Sequence, residues 1–549
     1  MRIKHLAYVS GGGKGLFGLT IGDALRESAK KWPKSDALVS CHEKVTYSYK
    51  ELLERSEQIA EGLVGLGLPK QARIGILAPN CKEWTVTQLA ASLADLVLVN
   101  INPAYQTTEL EYALKKVGVS ALVMTPGFKS SNYIESINQI APEVFEAKTS
   151  QRLPELKHLI LIGKEKHKGT MKFDDLYGIS CHEYLHRGLE VSFEDPTNIQ
   201  FTSGTTGTPK AATLTHHNIL NNGYYIGQTL KYSHNDRVCI PVPLYHCFGM
   251  VLGNLACITH GAAMVYPDYS FSPVSTMDSV EKEKCTALYG VPTMFIGCLR
   301  ENDKRRRQVM SLRTGIVAGS VCTPELMKRI IDDLHISEMT NAYGMTETSP
   351  VSFQSHLKDN FDKKISTVGQ IHPHCEAKII NKEGRIVDKG EPGELCTRGY
   401  IVMKGYWDDP QATKKVIDQE GWMHTGDLAS MDEEGYVRII GRNKDMIIRG
   451  GENIYPAEVE NFYMGHPDIE DIQVIGVPDK DFGEQVCAWV KMKPGKAPLT
   501  LEGLEFFGKG KIAHYKIPKL IKVVDEFPMT VTGKIKKFLM RAEYMDNNN

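Results

Sequence analysis

The stretch FTSGTTGTPK, at residues 201–210, places hydroxyl side chains, two glycines and a lysine within ten positions. Glycines let backbone N–H groups approach phosphate oxygens closely, hydroxyls add further donors, and a lysine supplies positive charge. The spacing differs from that of a P-loop, in which lysine follows the second glycine directly, because Thr208 and Pro209 separate Gly207 from Lys210. Outside the Walker-type NTPases, a stretch of this composition is therefore typical of a loop for the phosphates of ATP or of a polar turn between two strands, and its residues alone leave both open.

Short apolar runs alternate with helix-like segments over most of the chain. Such runs lie at 74–78, 121–124, 238–242 and 315–318. This alternation is typical of α/β layers with mainly parallel sheets. At 549 residues the chain is too long for one core. We therefore predict the α/β class, with a large N-terminal domain of several subdomains at residues 1–443.

The pattern changes after residues 435–442, where short strands give way to a charged segment. The remainder reads as a compact α+β unit, with strands expected near 473–477 and 486–491. We therefore predict a small C-terminal domain at residues 444–549, joined to the large one by a hinge at Lys444.

Composition argues against several classes of function. Lysines and arginines number 65, aspartates and glutamates 66, and the signs are interspersed, so nucleic acid is not an expected partner. The twelve cysteines form no C-x-x-C pair and are expected to be thiols in a reducing compartment. The chain has no long uninterrupted apolar run and no targeting pattern, so a cytoplasmic protein is expected.

Two local clusters are expected to have no role in a site. His372, His374 and Cys375 form the only tight group of potential metal ligands in the sequence. Neighbouring side chains alternate in direction along a strand, so a structural role is expected for the group and not a metal site. The basic run at residues 304–307 is typical of a solvated face, with contact to a phosphorylated cosubstrate as the alternative.

Three further motifs carry chemistry. Residues 341–347 read NAYGMTE, in which an amide, an aromatic ring, a hydroxyl and a carboxylate could serve a purine, a phosphate and Mg²⁺. Residues 422–427 read WMHTGD, and the carboxylate of Asp427 is a suitable acceptor for the two hydroxyls of a ribose. Residues 528–534 read PMTVTGK and end on a lysine. Each motif alone is also typical of an ordinary turn or, for Lys534, of a solvated surface.

In this order the motifs resemble those of the adenylate-forming superfamily, which contains acyl-CoA synthetases, luciferases and peptide-synthetase adenylation domains. The resemblance extends over about residues 19–540, and the phosphate loop departs from the superfamily pattern only at Ala211, where a glycine is usual. The segments at 243–249, 289–294 and 449–456 resemble fatty acyl-CoA synthetases, especially the medium-chain type.

The resemblance implies a role for each motif. Lys534 would bridge the attacking carboxylate and the α-phosphate, Thr346 would contact the α-phosphate, and Glu347 would hold Mg²⁺. His246 and Gly319 would lie at the acyl pocket, where His246 is either a gate or a packed core histidine. The residues that the resemblance assigns to ATP and coenzyme A are Thr202, Ser203, Gly204, Thr205, Thr206, Gly207, Lys210, Asn341, Tyr343, Gly344, Asp427, Arg442, Lys444, Gly450 and Gly451.

The activity implied is that of an acid–thiol ligase, an AMP-forming acyl-CoA synthetase. A fatty acid carboxylate would attack ATP and release pyrophosphate, and the thiol of coenzyme A would then displace AMP. In the superfamily the C-terminal domain is mobile, so rotation about Lys444 would withdraw Lys534 and present Gly450 and Gly451. The alternatives are an acyl-AMP ligase that loads a carrier protein, an aryl-CoA ligase, a luciferase-like oxygenase and a non-catalytic nucleotide-binding regulator. The length of the acid, peripheral membrane contact and homodimer formation stay open.

Overall fold

The computed structural model describes residues 5–188, 190–202, 209–305, 307, 309–320, 322–442, 445–449, 452–509, 511–530 and 535–548. Two large sheets with mainly parallel strands form the first part of the chain. In spatial order, the first sheet contains Met171–Lys172, His158–Leu161, Val119–Met124, Arg73–Leu77, Val97–Asn100, Pro196–Thr202, Lys210–Thr215 and Gly405–Tyr406. The second contains Gln370–Ile371, Val351–Gln354, Glu338–Gly344, Thr314–Ala318, Ala287–Gly290, Arg237–Cys239, Ala263–Tyr266, Asp36–Ser40 and Val45–Ser48.

Two smaller sheets are mainly antiparallel. The third sheet contains, in spatial order, Tyr8–Ser10, Cys375–Ile380, Gly393–Gly399, Met423–Met431 and Val437–Arg442. The fourth contains Glu452–Ile454, Ile447–Arg449, Gly483–Met492 and Ile469–Asp479, with Leu520–Val523 also paired to Gly483–Met492. A short hairpin pairs Gly127–Phe128 with Ser131–Asn132. The fourth sheet therefore contains strands near both positions where the sequence predicts them in the C-terminal region.

Helices cover the sheets and connect their strands. The α-helices are Ile21–Lys31, Tyr49–Gly65, Lys82–Leu93, Thr107–Val117, Tyr133–Ile140, Glu183–Arg187, His216–Thr229, Ala256–His260, Pro273–Glu283, Pro292–Arg305, Pro324–Asp333, Phe361–Ser366, Pro410–Lys414, Pro456–Tyr463, Leu501–Gly508 and Lys537–Asn548. A wider helical turn, Phe248–Leu255, leads directly into Ala256–His260. None of the helices in the described ranges is both long enough and apolar enough to cross a membrane.

Local sequence explains where key helices begin. Ser48 accepts a hydrogen bond from the backbone N–H of Glu51, whose carboxylate accepts in return from the backbone of Ser48, so a capping box begins the helix Tyr49–Gly65. Thr215 caps the helix His216–Thr229 in the same way, together with Asn218. That helix therefore begins immediately after the strand Lys210–Thr215.

The main core lies between the first two sheets. Ile74 of the first sheet and Val238 of the second belong to one buried apolar cluster, which also contains Leu52 and Trp84 from the covering helices. Burial of both faces explains why the strands read as continuous apolar runs in the sequence. The α/β class predicted from those runs is confirmed.

Arg307 differs from the expectation for the basic run at residues 304–307. The run is expected to be a solvated face, but the side chain of Arg307 is only 5% exposed and pairs with Asp278, Glu281 and Glu301. Its positive charge is therefore satisfied by carboxylates, which leaves no phosphate-binding role for it.

The histidines of the sequence cluster at 372–375 do not converge. His372 is buried and lies 3.2 Å from Gln354 Oε1, and burial lowers its pKa to about 3. His374 is exposed and contacts the backbone oxygen of Lys14. The two rings therefore contact different partners, and a structural role for the cluster stays a prediction.

Candidate active site

The two ends of the phosphate-loop motif are neighbours in the first sheet. Thr202 and Lys210 are directly opposite each other in the antiparallel pair formed by Pro196–Thr202 and Lys210–Thr215. The ammonium of Lys210 lies 5.0 Å from the ring centre of Tyr406. The five other assigned residues of the motif, Ser203, Gly204, Thr205, Thr206 and Gly207, lie outside the described residues.

Glu347 joins the second motif to the first sheet. Its Oε1 accepts hydrogen bonds from Thr202 Oγ1 at 3.1 Å and from the Tyr406 hydroxyl at 2.9 Å, and the residue is only 6% exposed. Burial and the neighbouring carboxylate raise the pKa of Tyr406, so its hydroxyl stays protonated and keeps donating. A carboxylate is therefore held beside the end of the phosphate-loop motif.

Thr346 faces a thiol that sequence reasoning missed. The Sγ of Cys247 lies 3.4 Å from Thr346 Oγ1 and 3.1 Å from Gln200 Oε1. His246 precedes this cysteine, and its Nδ1 accepts from the backbone N–H of Phe248 at 3.2 Å. The segment that contains His246 therefore reaches the hydroxyl expected at the α-phosphate.

Asp427 lies at the meeting point of the second and third sheets. Its Oδ2 accepts from the hydroxyl of Tyr343, at the end of Glu338–Gly344, and its Oδ1 lies 3.2 Å from Arg442 Nε. Arg442 is also its direct cross-strand partner in the third sheet. Burial and the Asp427 carboxylate raise the pKa of Tyr343 well above its ordinary value. The Asp427 side chain is only 9% exposed. One of its oxygens is oriented by Tyr343 of the second sheet and the other by Arg442 of the third sheet.

Asn341 begins the motif that ends at Glu347. Its backbone N–H donates to Ser355 Oγ at 2.8 Å, and its side-chain Nδ2 donates to the backbone oxygen of Thr367 at 3.2 Å. Gly319 follows the neighbouring strand Thr314–Ala318 and has a φ of +91°, a conformation that favours glycine. Both residues lie at the carboxyl edge of the second sheet, where open α/β sheets bind their ligands.

Gly344 is required by close packing. A Cβ at this position would lie 1.7 Å from the backbone oxygen of Pro350. The same oxygen accepts from the backbone N–H of Met345 at 3.0 Å and closes the turn that contains Thr346 and Glu347. Glycine therefore allows Tyr343 and Glu347 to be placed on either side of one tight turn.

Four assigned residues of the C-terminal region, Lys444, Gly450, Gly451 and Lys534, lie outside the described residues. The chain around Lys534 is described on both sides, where Met529 and Ile535 form an antiparallel bridge.

Among the described site residues, the structure brings together Thr202, Thr346 and Glu347 in one group, and Tyr343, Asp427 and Arg442 in a second.

Tyr406 and Cys247 contact Glu347 and Thr346, and the sequence did not reveal either contact. Tyr406 reaches the site because the short strand Gly405–Tyr406 pairs with Ala212 and Thr213, almost two hundred positions earlier in the chain. No local motif signals such a pairing, since it depends on the assembled sheet.

Comparison with known proteins assigns the family. A family model described as AMP-binding enzyme matches residues 25–407, and a model of the AMP-binding enzyme C-terminal domain matches residues 458–534. This chain belongs to the AMP-binding enzyme family. The predicted membership of the adenylate-forming superfamily is therefore confirmed, and the expected hinge at Lys444 lies between the two matched regions.

Relatives of this AMP-binding enzyme match it over nearly its whole length. It is 43% identical over 562 residues to the mitochondrial medium-chain acyl-CoA ligase of Bos taurus, covering 100% of this chain and 91% of that protein. ATP-bound MatB from Rhodopseudomonas palustris superposes with a TM-score of 0.85 at 26% identity, covering 97% of this chain and 100% of that one. The o-succinylbenzoate CoA synthetase of Bacillus subtilis, solved with its acyl-adenylate intermediate, gives a TM-score of 0.78 at 26% identity, covering 95% and 97%. The predicted large α/β part with a further C-terminal part agrees with these neighbours.

We expect Gly344→Ala to disrupt the site through its backbone. The added methyl group cannot fit 1.7 Å from the Pro350 oxygen, so the turn must move. Overpacking of this kind costs about 1–3 kcal/mol, and a displacement of about 1 Å in a catalytic group can cost about 10²-fold in rate. Thermal unfolding and ATP–pyrophosphate exchange would measure the two effects.

Gly441→Ala is the matched control, because a Cβ added at this other strand glycine would have no neighbouring atom within 4 Å among the residues that the structure describes. It should leave both measurements close to those of the unmodified enzyme. Full stability and exchange in Gly344→Ala would contradict the packing argument.

Proposed function

We propose that this AMP-binding enzyme is a fatty acid–CoA ligase for medium- to long-chain acids. It adenylates the acid with ATP and then forms the thioester with coenzyme A, releasing pyrophosphate and AMP. The observation that carries the proposal is the pair of buried carboxylates, Glu347 and Asp427, held on either side of the 343–346 turn. The name of the Bos taurus relative, a medium-chain acyl-CoA ligase at 43% identity, supports the choice of substrate.

The phosphate end of ATP is assigned to the group around Glu347. Mg²⁺ prefers oxygen ligands and is usually held by one or two carboxylates together with substrate phosphates. Glu347 fits this preference, because its neighbours are the hydroxyls of Thr202 and Tyr406 and no competing cation is among its hydrogen-bond partners in the described residues. Mg²⁺ would supply the positive charge that neutralises the phosphates, and Lys210 would contact the β- and γ-phosphates.

The adenosine end is assigned to the group around Asp427. A carboxylate can accept from both hydroxyls of a ribose. The Tyr343 hydroxyl contacts one oxygen of Asp427 and Arg442 contacts the other, so the orientation of the carboxylate is fixed. The Tyr343 ring would stack on the adenine, and Asn341 would lie near the adenine amino group. The ribose hydroxyls would share Asp427 with the tyrosine hydroxyl.

The first half-reaction is assigned to Lys534 and Thr346. The carboxylate of the acid attacks the α-phosphorus, the bond to pyrophosphate breaks, and negative charge increases on the phosphoryl oxygens. An ammonium about 4 Å from such a charge attracts it by about 4 kcal/mol at an effective dielectric constant near 20. Lys534 would supply this charge, with the Thr346 hydroxyl as a further donor.

The second half-reaction is assigned to a rotated C-terminal domain. The thiolate of coenzyme A attacks the carbonyl carbon of the acyl-adenylate, and AMP leaves with the electrons of the broken C–O bond. Rotation of residues 444–549 against residues 1–443 about Lys444 would remove Lys534 and bring in Gly450 and Gly451, whose lack of side chains leaves room for pantetheine. His246 and Gly319 would line the acyl pocket. A cytoplasmic location, peripheral membrane contact and homodimer formation stay predictions.

The function is tested by supplying ATP, Mg²⁺ and a panel of saturated and aromatic acids, with and without coenzyme A, and measuring AMP and acyl-CoA. We expect the highest kcat/KM on medium- to long-chain fatty acids, with acyl-CoA as the product. Lys534→Ala should lower acid-dependent pyrophosphate exchange by at least about 10²-fold, the scale of one lost transition-state contact. Lys536→Ala, two positions along the chain, is the matched control and should retain exchange.

Three results would contradict these assignments. AMP formed without acyl-CoA would favour an acyl-AMP ligase, a preference for aromatic acids would favour an aryl-CoA ligase, and near-normal exchange in Lys534→Ala would remove that lysine from the chemistry.

The hinge is tested by comparing Lys444→Pro with Lys444→Ala. Proline fixes φ near −65° and removes a backbone donor, whereas alanine leaves the backbone free to rotate. We expect the proline variant to lose more thioester formation than acyl-adenylate formation, and the alanine variant to retain the ratio of the two rates. Rapid-quench measurement of each half-reaction gives that ratio, and equal losses in the proline variant would refute rotation at this residue.

A further inference from the structure

Apart from the groups around Glu347 and Asp427, the third sheet brings together a cluster of side chains whose nitrogen, sulfur and oxygen atoms could bind a metal ion. Cys396, on Gly393–Gly399, is the direct cross-strand partner of His424, on Met423–Met431. Glu394 lies two residues before Cys396, so its side chain is on the same face of that strand. A potential ligand atom from each of the three residues lies within 4.8 Å of the other two.

We infer that Glu394 Oε2, Cys396 Sγ and His424 Nδ1 bind a divalent cation of the Zn²⁺ type. The inference depends on the geometry of these side chains and not on the proposed ligase activity. The sequence offered no sign of it, because the donors come from two strands that are almost thirty residues apart.

The distances fit the edges of a tetrahedral site. Cys396 Sγ lies 3.6 Å from His424 Nδ1, and that nitrogen lies 3.3 Å from Glu394 Oε2. Zinc bonds of about 2.3 Å to sulfur and about 2.0–2.1 Å to nitrogen or oxygen, arranged tetrahedrally, separate sulfur from nitrogen by about 3.5 Å and nitrogen from oxygen by about 3.3 Å. Two of the three edges therefore already have the length expected in such a site, and the third, between Cys396 Sγ and a Glu394 carboxylate oxygen, is no longer than 4.8 Å.

A hydrogen bond at His424 Nδ1 cannot serve both of its neighbours at once. Nδ1 of a histidine carries one proton or one lone pair, so it can make a full bond with either the thiol or the carboxylate but not with both. A cation at the centre would bond to all three atoms. A thiolate ligand also disfavours Mg²⁺ and Ca²⁺, which prefer oxygen, and favours a softer ion such as Zn²⁺.

Further contacts orient two of the proposed ligands. His424 Nε2 lies 3.3 Å from Asp418 Oδ2, and histidines that bind metals usually donate their second ring N–H to a carboxylate. The other oxygen of Asp418 accepts from the backbone N–H groups of Glu420 and Trp422, both at 2.9 Å. Asp418 is therefore fixed in place and fixes the ring of His424.

Glu394 is oriented in the same manner. Its Oε1 accepts from the backbone N–H of Gly426 at 3.1 Å, which leaves Oε2 directed at His424. Cys396 is fully buried, while the side chains of Glu394 and His424 are about a quarter to a third exposed. A water molecule can therefore reach the fourth corner from the solvent side.

The cation would connect the two strands three residues before Asp427. Binding would stabilise the third sheet at the start of the segment that contains the ribose carboxylate, and would raise the temperature of unfolding by mass action. This role is structural and adds no step to the reaction.

The test uses Co²⁺ as a spectroscopic probe of the full-length enzyme after dialysis against a chelator. We expect one equivalent of Co²⁺ to produce a thiolate-to-cobalt charge-transfer band in the near ultraviolet, and one equivalent of Zn²⁺ to abolish it. Cys396→Ser should lose the band, and Cys487→Ser, which replaces another buried cysteine in the fourth sheet, should retain it.

A second variant keeps the inference testable if Cys396→Ser fails to fold, which circular dichroism would reveal. Asp418→Asn leaves all three ligands in place and should weaken Zn²⁺ binding by about 10–100-fold, the usual effect of losing a carboxylate that orients a ligating histidine. Absence of a saturable band, a band that survives in Cys396→Ser, or unchanged affinity in Asp418→Asn would overturn the site.

Discussion

The buried carboxylate of Asp427 is the constraint on which the proposed nucleotide site depends. A buried charge is costly unless it is paired and hydrogen-bonded, so the second and third sheets must meet where Tyr343 and Arg442 can both reach it. Glu347 imposes the same requirement between the first sheet and the 346–348 turn, through Thr202 and Tyr406. Two carboxylates thus connect three sheets, and both belong to the site proposed for the chemistry.

These contacts also explain why Glu347 and Asp427 are proposed to bind different parts of ATP. Glu347 is surrounded by hydroxyls, which suits an ion that bridges phosphates, whereas Asp427 is held by a phenol and a guanidinium, which suits an uncharged diol. Gly344 separates the two environments, because the Pro350 oxygen occupies the space that a side chain would need. One seven-residue motif can therefore serve both ends of ATP.

The sequence was sufficient where local pattern determines structure. Apolar runs predicted the parallel strands, and the order of the short motifs predicted the family, because both signals are contained within a few neighbouring residues. The contacts made by Tyr406, Cys247 and the Glu394–Cys396–His424 group could not be read in advance, since each depends on the pairing or packing of segments distant in sequence. Arg307 illustrates the opposite error, because a basic run that resembles a solvated face contains one arginine enclosed by three carboxylates.

We propose that Asp427 accepts the ribose hydroxyls of ATP. The most direct test is a double-mutant cycle in which the Asp427 carboxylate and the 2′-hydroxyl of the nucleotide are removed singly and together. Pyrophosphate exchange would be measured with ATP and with 2′-deoxy-ATP, in the unmodified enzyme and in Asp427→Ala. Loss of a hydrogen bond to a charged group costs about 1.5–3 kcal/mol, so kcat/KM of the unmodified enzyme should fall by at least about tenfold with the deoxynucleotide. In Asp427→Ala the two nucleotides should perform alike, and an equal penalty in both enzymes would contradict the assignment of Asp427 to the ribose.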